Sequence, residues 1–358
     1  MKRILLMFAC LSTLVAHAEN PLLRVSIHVV GEDGLPITNS LVCILTSADS
    51  MGAWHAQRER AEFRDGLTDS NGMVTLTIPS KYGDVAYRVH PSDGDYAHAM
   101  RLGDGRAYYA DQLVRTRMDK VADGRWEPWN KNFTIVAKLQ QNPHAMYARN
   151  LGLKIPPLKI PEFGKPIGFD LIKSDWVAPY GKGETSDFIF WYKANDSIGV
   201  PKEYYDEYPR SGRYKDSDFK LSFANDGDGL QCVMDNPLSG GSILRLPRCA
   251  PESGYESNLV RSCRATWTNN TFNFTGEQWN ENQNYIFRVR SQRDQNGTIT
   301  NALYGKIRGP ISFSSGGGGV SFTYYLNPTP NNRKLEYDAN HNLLKDILGY
   351  RENPPPGP

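Results

Sequence analysis

The 358-residue sequence predicts an all-β protein, two β-sandwich domains joined by a Pro-rich connector. Three observations carry that expectation. Short runs of β-branched and aromatic residues alternate apolar with polar, the period of a half-buried strand. Clusters of glycine and small polar residues separate these runs, in a chain with 32 Gly and 23 Pro against 14 Phe, 19 Tyr and 7 Trp; that composition suits turns around aromatic cores. Pro143, Pro156, Pro157, Pro161 and Pro166 gather between two groups of such runs, where missing N–H donors favour an extended connector over ladder pairing. The expected division is a signal peptide at 1–18, a first sandwich at 19–142, the connector at 143–165, a second sandwich with long aromatic loops at 166–345, and a disordered tail at 346–358.

In chain order, Arg24–Val30 places Val25, Ile27 and Val29 on one side and Arg24, Ser26 and His28 on the other. Gly31–Ile37 then turns the chain: Asp33-Gly34 accepts positive φ and Pro36 fixes the exit. Leu41–Leu45 reads as a more fully buried strand, and Thr68–Gly72 as a second polar turn. Met73–Ile78 alternates until Pro79 stops it, and Val85–Val89 follows as the next strand of a meander. Asn132–Leu139 closes the first domain. In the connector, Met146, Tyr147, Leu151 and Leu153 are apolar enough to dock on a neighbour. The second domain offers Phe188–Tyr192, Phe219–Phe223, Leu230–Met234, Ile243–Leu246, Tyr285–Arg290, Gly309–Phe313 and Val320–Tyr325 as strands. Residues 193–218 and 248–284 are so polar and aromatic that ordered surface loops are expected there.

The pattern carried by Gly34, Pro36, Ile37, Val42, Thr68, Asp69, Gly72, Val74 and Leu76 resembles the carboxypeptidase regulatory-like domain, a prealbumin-like β-sandwich, over about residues 24–90. The chain departs from that family at Asn39-Ser40, where Gly-Ala is usual, while keeping small residues. The resemblance implies a non-catalytic module of a secreted bacterial protein and leaves the ligand open. Residues 142–148 and 168–181 look like stretches of uncharacterised secreted bacterial proteins, and that similarity implies no activity.

Export has a separate basis in the N-terminus. Lys2-Arg3 is a charged start, Ile4–Val15 is an apolar stretch too short to span a bilayer, and Ala16-His17-Ala18 matches a small-x-small cleavage site. Removing Lys2 and Arg3 from 41 cations leaves 39 against 39 acids. A neutral chain with interspersed charge argues against nucleic acid, which calls for a clustered basic surface, and against polybasic membrane docking. No later run is long and apolar enough for a transmembrane segment. Cys43, Cys232, Cys249 and Cys263 remain after cleavage, an even number as oxidised export favours. Cys249–Cys263 is the favoured bridge, worth roughly 3 kcal/mol by loop entropy; the alternative is a buried thiol at Cys43 with one other cysteine left over.

Catalytic signatures are missing from the sequence. The histidines lack metal-ligand spacing, Ser239-Gly240-Gly241-Ser242 reads as a turn, and the abundant loop carboxylates define no pair. Asn225–Gly229 reads either as a structural turn or as a calcium loop, although no Glu closes an EF-hand there. No cofactor is expected, and an enzyme is the less favoured class. The stronger lead is aromatic: Trp267 and Trp279 bracket a segment rich in amides and hydroxyls, and Tyr204, Tyr205 and Tyr208 interleave with acids. Flat rings beside hydrogen-bonding groups suit sugar rings or peptides; the bland reading is that these rings fold inward and pin their loops. The expected function is therefore an exported, non-enzymatic protein binding a ligand at the cell envelope, a glycan first. The alternatives are a structural or assembly protein that meets other envelope proteins, and a hydrolase with a carboxylate pair in the second domain.

Overall fold

The computed structural model describes residues 20–46, 62–89, 99–101, 107–109, 114–152, 158–195, 216–234, 244, 246–268, 271–275, 280, 282–314 and 317–345. The expected signal peptide and C-terminal tail lie outside them. The regular elements of the described residues are strands, as an all-β protein requires. The chain divides into two compact units, residues 1–91 with 112–135, and residues 92–111 with 136–358.

The first unit contains β1 (Leu22–Gly31), β2 (Leu41–Thr46), β3 (Glu62–Leu67), β4 (Met73–Pro79) and β5 (Asp84–Val89). The short β6 (Ala99–Arg101) and β7 (Ala107–Tyr109) belong to the second unit. The chain returns to the first with β8 (Val114–Arg117), β9 (Lys120–Ala122), β10 (Arg125–Glu127) and the start of β11 (Lys131–Leu139). β1 pairs antiparallel with β4 from Leu22↔Pro79 to His28↔Met73, with β11 and the β10–β9 hairpin in the same sheet. The other sheet has the order β3-β2-β5-β8. Leu23, Val25 and Ile27 of β1, Val42 and Ile44 of β2 and Leu76 of β4 are buried, as their alternation dictates.

The expected meander is corrected here, because β4 and β5 lie in different sheets. Ser80 makes the corner between them: fully buried, it donates from Oγ to Thr46 Oγ1 at 2.8 Å, and its carbonyl accepts from Trp126 Nε1 at 2.9 Å. The two polar turns lock together. Thr68 Oγ1 accepts from the Ser40 amide at 2.8 Å and donates to the Ile37 carbonyl at 2.7 Å, while Asp69 Oδ1 accepts from the Asn71 and Met73 amides.

The second unit adds β12 (His144–Leu151), β13 (Leu158–Lys159), β14 (Ile167–Asp170), β15 (Asp175–Trp176), β16 (Phe188–Asn195), β17 (Asp216–Ser222), β18 (Gly229–Met234), β19 (Asn258–Thr268), β20 (Thr271–Thr275), β21 (Gln283–Arg293), β22 (Ile299–Phe313), β23 (Gly319–Leu326) and β24 (Tyr337–Asn342). One sheet has the order β15-β14-β16-β17-β19-β20, the other β18-β21-β22-β23-β12-β24 with β13 also on β23. Phe169, Phe188, Phe190 and Phe219 of the first sheet share a buried cluster with Phe287, Phe322 and Tyr324 of the second. Edge-to-face geometry, such as Phe188 against Phe287 at 5.1 Å and 76°, suits the ring quadrupoles.

Three further expectations differ from what is observed. The segment 143–165, expected as connector, supplies β12 and β13, because Met146, Ala148 and Leu151 are buried while β12 pairs with both β23 and β24. Within 248–284, expected as loop, β19 and β20 form an antiparallel hairpin from Arg264↔Thr275 to Thr268↔Thr271. Of Ile243–Leu246, expected as a strand, the described Leu244 and Leu246 lie outside any strand, Leu244 buried.

Candidate functional site

Of the aromatic residues expected to bind ligand, Trp267 alone falls among the described residues. Trp267 lies in β19, its backbone opposite Phe272 of β20. Trp279, Tyr204, Tyr205 and Tyr208 lie outside the described residues. The expected Cys249–Cys263 disulfide is not formed. Its partners sit on different elements: Cys249 is exposed beside Lys334, whereas Cys263 is buried in β19 opposite Ser217.

Asn225–Gly229 takes the turn reading. Asp228 turns inward, its Oδ1 accepting from the Ser291 amide at 2.8 Å and its Oδ2 from Asn225 Nδ2 at 2.9 Å. Asp226 faces water and pairs with Arg293. Just beyond, Arg290 holds two buried carboxylates. Its Nε and Nη2 donate to Asp187 Oδ1 and Oδ2 at 2.7 and 2.9 Å, and Nη2 donates to Asp170 Oδ1 at 3.1 Å. Burial opposes ionisation of Asp170, yet the Glu184, Lys173 and Thr185 amides together with Arg290 hold its carboxyl below the usual range. Burial pushes the Asp187 carboxyl up against the pull of Arg290. Every carboxylate oxygen in this clasp already accepts from an amide or from Arg290, so it ties β14 and the 171–187 loops to β21 and offers no site for a ligand.

A different part of the second unit holds a cavity. On the face of the β18-β21-β22-β23 sheet turned away from the phenylalanine cluster lies a cavity of about 350 Å³, at the small end of the ~300–1,000 Å³ typical of small-molecule sites. Alternation builds it: Leu303, Gly305 and Ile307 of β22 face the aromatic core, so Lys306 and Arg308 project to the other side. Val233 and Met234 of β18, Asn284 of β21 and Lys138 of β11 contribute further lining, and the 246–248 and 335–336 segments complete it.

Among the described residues, four cationic side chains line the cavity, Lys138, Arg248, Lys306 and Arg308, against the one carboxylate of Glu336. Glu336 is committed: buried, it accepts from Arg248 Nε at 2.8 Å and from the Gln141 and Asn142 amides at 3.0 and 2.5 Å. Arg248 also donates from Nη2 to the Leu139 carbonyl at 2.7 Å. Asn284 is committed at both ends, to the Gly309 amide and the Asn282 carbonyl. Lys306 differs. Only 4% exposed, it has the Tyr325 ring 5.0 Å away, and none of the described residues hydrogen-bonds its Nζ. Burial, then the Arg308 charge, pushes its pKa down to about 7, with Glu336 pulling the other way.

Lys306 and Arg308 carry no motif, and their signal in sequence is faint. In Ala302–Arg308 the face bearing Ala302 and Tyr304 is apolar and then turns cationic, which marks a strand face covered by something other than solvent. Arg248 and Glu336 are 88 residues apart, a pairing that only the fold reveals.

No family model matches this chain, and no curated protein matches it. Among solved structures, the major plantain pollen allergen Pla l 1 aligns at 13% identity and TM-score 0.21, over 34% of this chain and 98% of that one. A variant of the shaft pilin SpaA from Lactobacillus rhamnosus GG aligns at 13% identity and TM-score 0.21, over 59% and 90%. The major pilin subunit BcpA of Bacillus cereus aligns at 8% identity and TM-score 0.18, over 88% and 98%. Similarities this weak carry no argument about function.

Proposed function

We propose that this chain is an exported, non-enzymatic β-sandwich protein that binds an anionic ligand at the cell envelope, with the basic cavity of the second unit as the site. The observation that carries the reading is Lys306, a buried cation that lines a cavity and has no hydrogen-bond acceptor among the described residues. Burying an ammonium costs free energy unless something pairs with it. Export rests on the signal-like residues 1–18, and the modular reading on the regulatory-like pattern of Gly34, Pro36, Thr68 and Gly72.

A second reading keeps the glycan as ligand, held by Trp267, Trp279, Tyr204, Tyr205 and Tyr208. What favours it is the β19–β20 register, which sets Trp267 opposite Phe272 next to an Asn269-Asn270 connection. One experiment separates the two. Purified protein is titrated with acidic and neutral glycans and peptidoglycan fragments, alongside Lys306→Met and a Trp267→Ala, Trp279→Ala double variant. Binding confined to acidic probes and lost in Lys306→Met supports the cavity. Binding of neutral sugars, lost only in the tryptophan variant, moves the site to the aromatic segment. Self-association or capture of envelope proteins without any such binding overturns both and makes the protein an assembly component.

A further inference from the structure

We infer that the cavity is built for a small amphipathic carboxylate, an apolar body with one anionic head, whose head lies against Lys306 and Arg308; this inference rests on the anion-binding reading of the same site. The lining divides in two. Val233, Met234, Leu244, Leu246 and Leu335 form an apolar half, with Leu244 and Leu335 buried. The cations form the other. A sugar is poorly served here, because among the described residues none of those lining the cavity is aromatic and the neutral or acidic hydrogen-bonding groups that hydroxyls need, Asn284 and Glu336, are already engaged. An apolar body suits the aliphatic wall, and the head meets a charge that lacks a hydrogen-bond acceptor among the described residues.

A large divalent oxyanion is served less well than a carboxylate. Bidentate recognition needs an unengaged guanidinium fork, whereas Arg248 is spent on Glu336 and the Leu139 carbonyl, and Arg308 is bonded to the Tyr325 hydroxyl. Lys306 is a point donor, matched to one carboxylate. Among the described residues, the charged and titratable groups around it are Tyr304 and Arg308 on β22, Tyr325 on β23, Lys138 on β11, and Arg248 with Glu336 on the covering segments. Because the Lys306 amine titrates near neutrality, a carboxylate entering at pH 8 draws a proton onto it.

The test is calorimetric titration of the purified protein at pH 8 with octanoate, acetate, glucuronate and 1-octanol, repeated in buffers of different ionisation enthalpy. Octanoate is expected to bind saturably with proton uptake, at least tenfold tighter than acetate, glucuronate or 1-octanol. Lys306→Met should weaken octanoate at least tenfold, abolish the proton uptake and improve 1-octanol, and Arg308→Met should weaken octanoate and reduce the proton uptake without abolishing it, because a charge that holds the Lys306 pKa down is gone. If glucuronate matches octanoate and both are lost in Lys306→Met, the amphipathic inference falls and the anion site stands. If no anion binds, both fall. Octanoate binding unchanged in Lys306→Met and Arg308→Met marks adventitious adsorption and overturns the assignment.

Discussion

Two glycines show how much a single position can require. Gly34 and Gly72 both have positive φ, +77° and +69°, but a Cβ on Gly34 would meet nothing within 4 Å, while one on Gly72 would lie 2.5 Å from the Val29 carbonyl oxygen. Gly34→Ala should therefore cost only the left-handed backbone term, about 1–2 kcal/mol, and Gly72→Ala clearly more, as urea unfolding of the two variants would measure. Both glycines were legible in sequence as turn residues, because the polar clusters around them have no other physical use. Lys306 was not, since a lone lysine among apolar neighbours looks the same whether its amine reaches water or a cavity. Its pH signature is specific. With a folded pKa near 7 against 10.5 unfolded, the unfolded chain binds the extra proton between those values. The cost of burying the amine is thus complete below pH 7 and fades as pH rises toward 10.5. Lys306→Met should stabilise the fold by roughly a few kcal/mol at pH 6 and by little at pH 10. A gain that does not shrink with pH would mean that the amine stays charged in the folded state.

Strands were found where one face is plainly apolar and missed where long side chains disguise the alternation. β1, β16 and β21 are unmistakable for that reason. β19 escaped because Val260 is exposed while Arg261 lies on the more buried side, toward Tyr285, to whose hydroxyl it donates at 3.0 Å. Yet the period is intact, with Leu259, Arg261 and Cys263 less exposed than Val260, Ser262 and Arg264. β12 escaped because nearby prolines suggested an extended connector, although Pro143, Pro156 and Pro157 fall outside the strand itself. Where elements meet, the Arg290 clasp is the feature that sequence could not anticipate, since Asp170 and Asp187 lie more than 100 residues from their partner. Removing one side of a buried, hydrogen-bonded ion pair strands the other charges, so Arg290→Met should cost about 3–5 kcal/mol. The double variant Arg290→Met, Asp187→Asn should cost less than the sum of the two single changes, because the stranded carboxylate is gone. Additive costs in a denaturant series would deny that the two side chains act together.

At the scale of the molecule, counting prolines gave two sandwiches in sequence order, and two compact units are present, but they are not simple halves. Residues 92–111 belong with the second unit and 112–135 with the first, an interleaving that no local composition could reveal because it depends on which distant strands pair. Each unit has a buried apolar set of its own: Leu23, Val25, Ile27, Val42 and Ile44 in one, the phenylalanine cluster around Phe188 and Phe287 in the other. A change in one set should therefore act on the cooperative transition of that unit alone. In scanning calorimetry, Gly72→Ala should lower the transition of the first unit and leave the second in place, and Arg290→Met should do the reverse. Cysteine labelling assigns the transitions: Cys43 reports on the first unit, Cys263 on the second, and both are buried, so each should react with a maleimide only as its own unit melts, whereas exposed Cys232 and Cys249 should react throughout. If Gly72→Ala exposes Cys43 and Cys263 at the same lowered temperature, the two sets melt as one cooperative body and the division into units has no thermodynamic meaning.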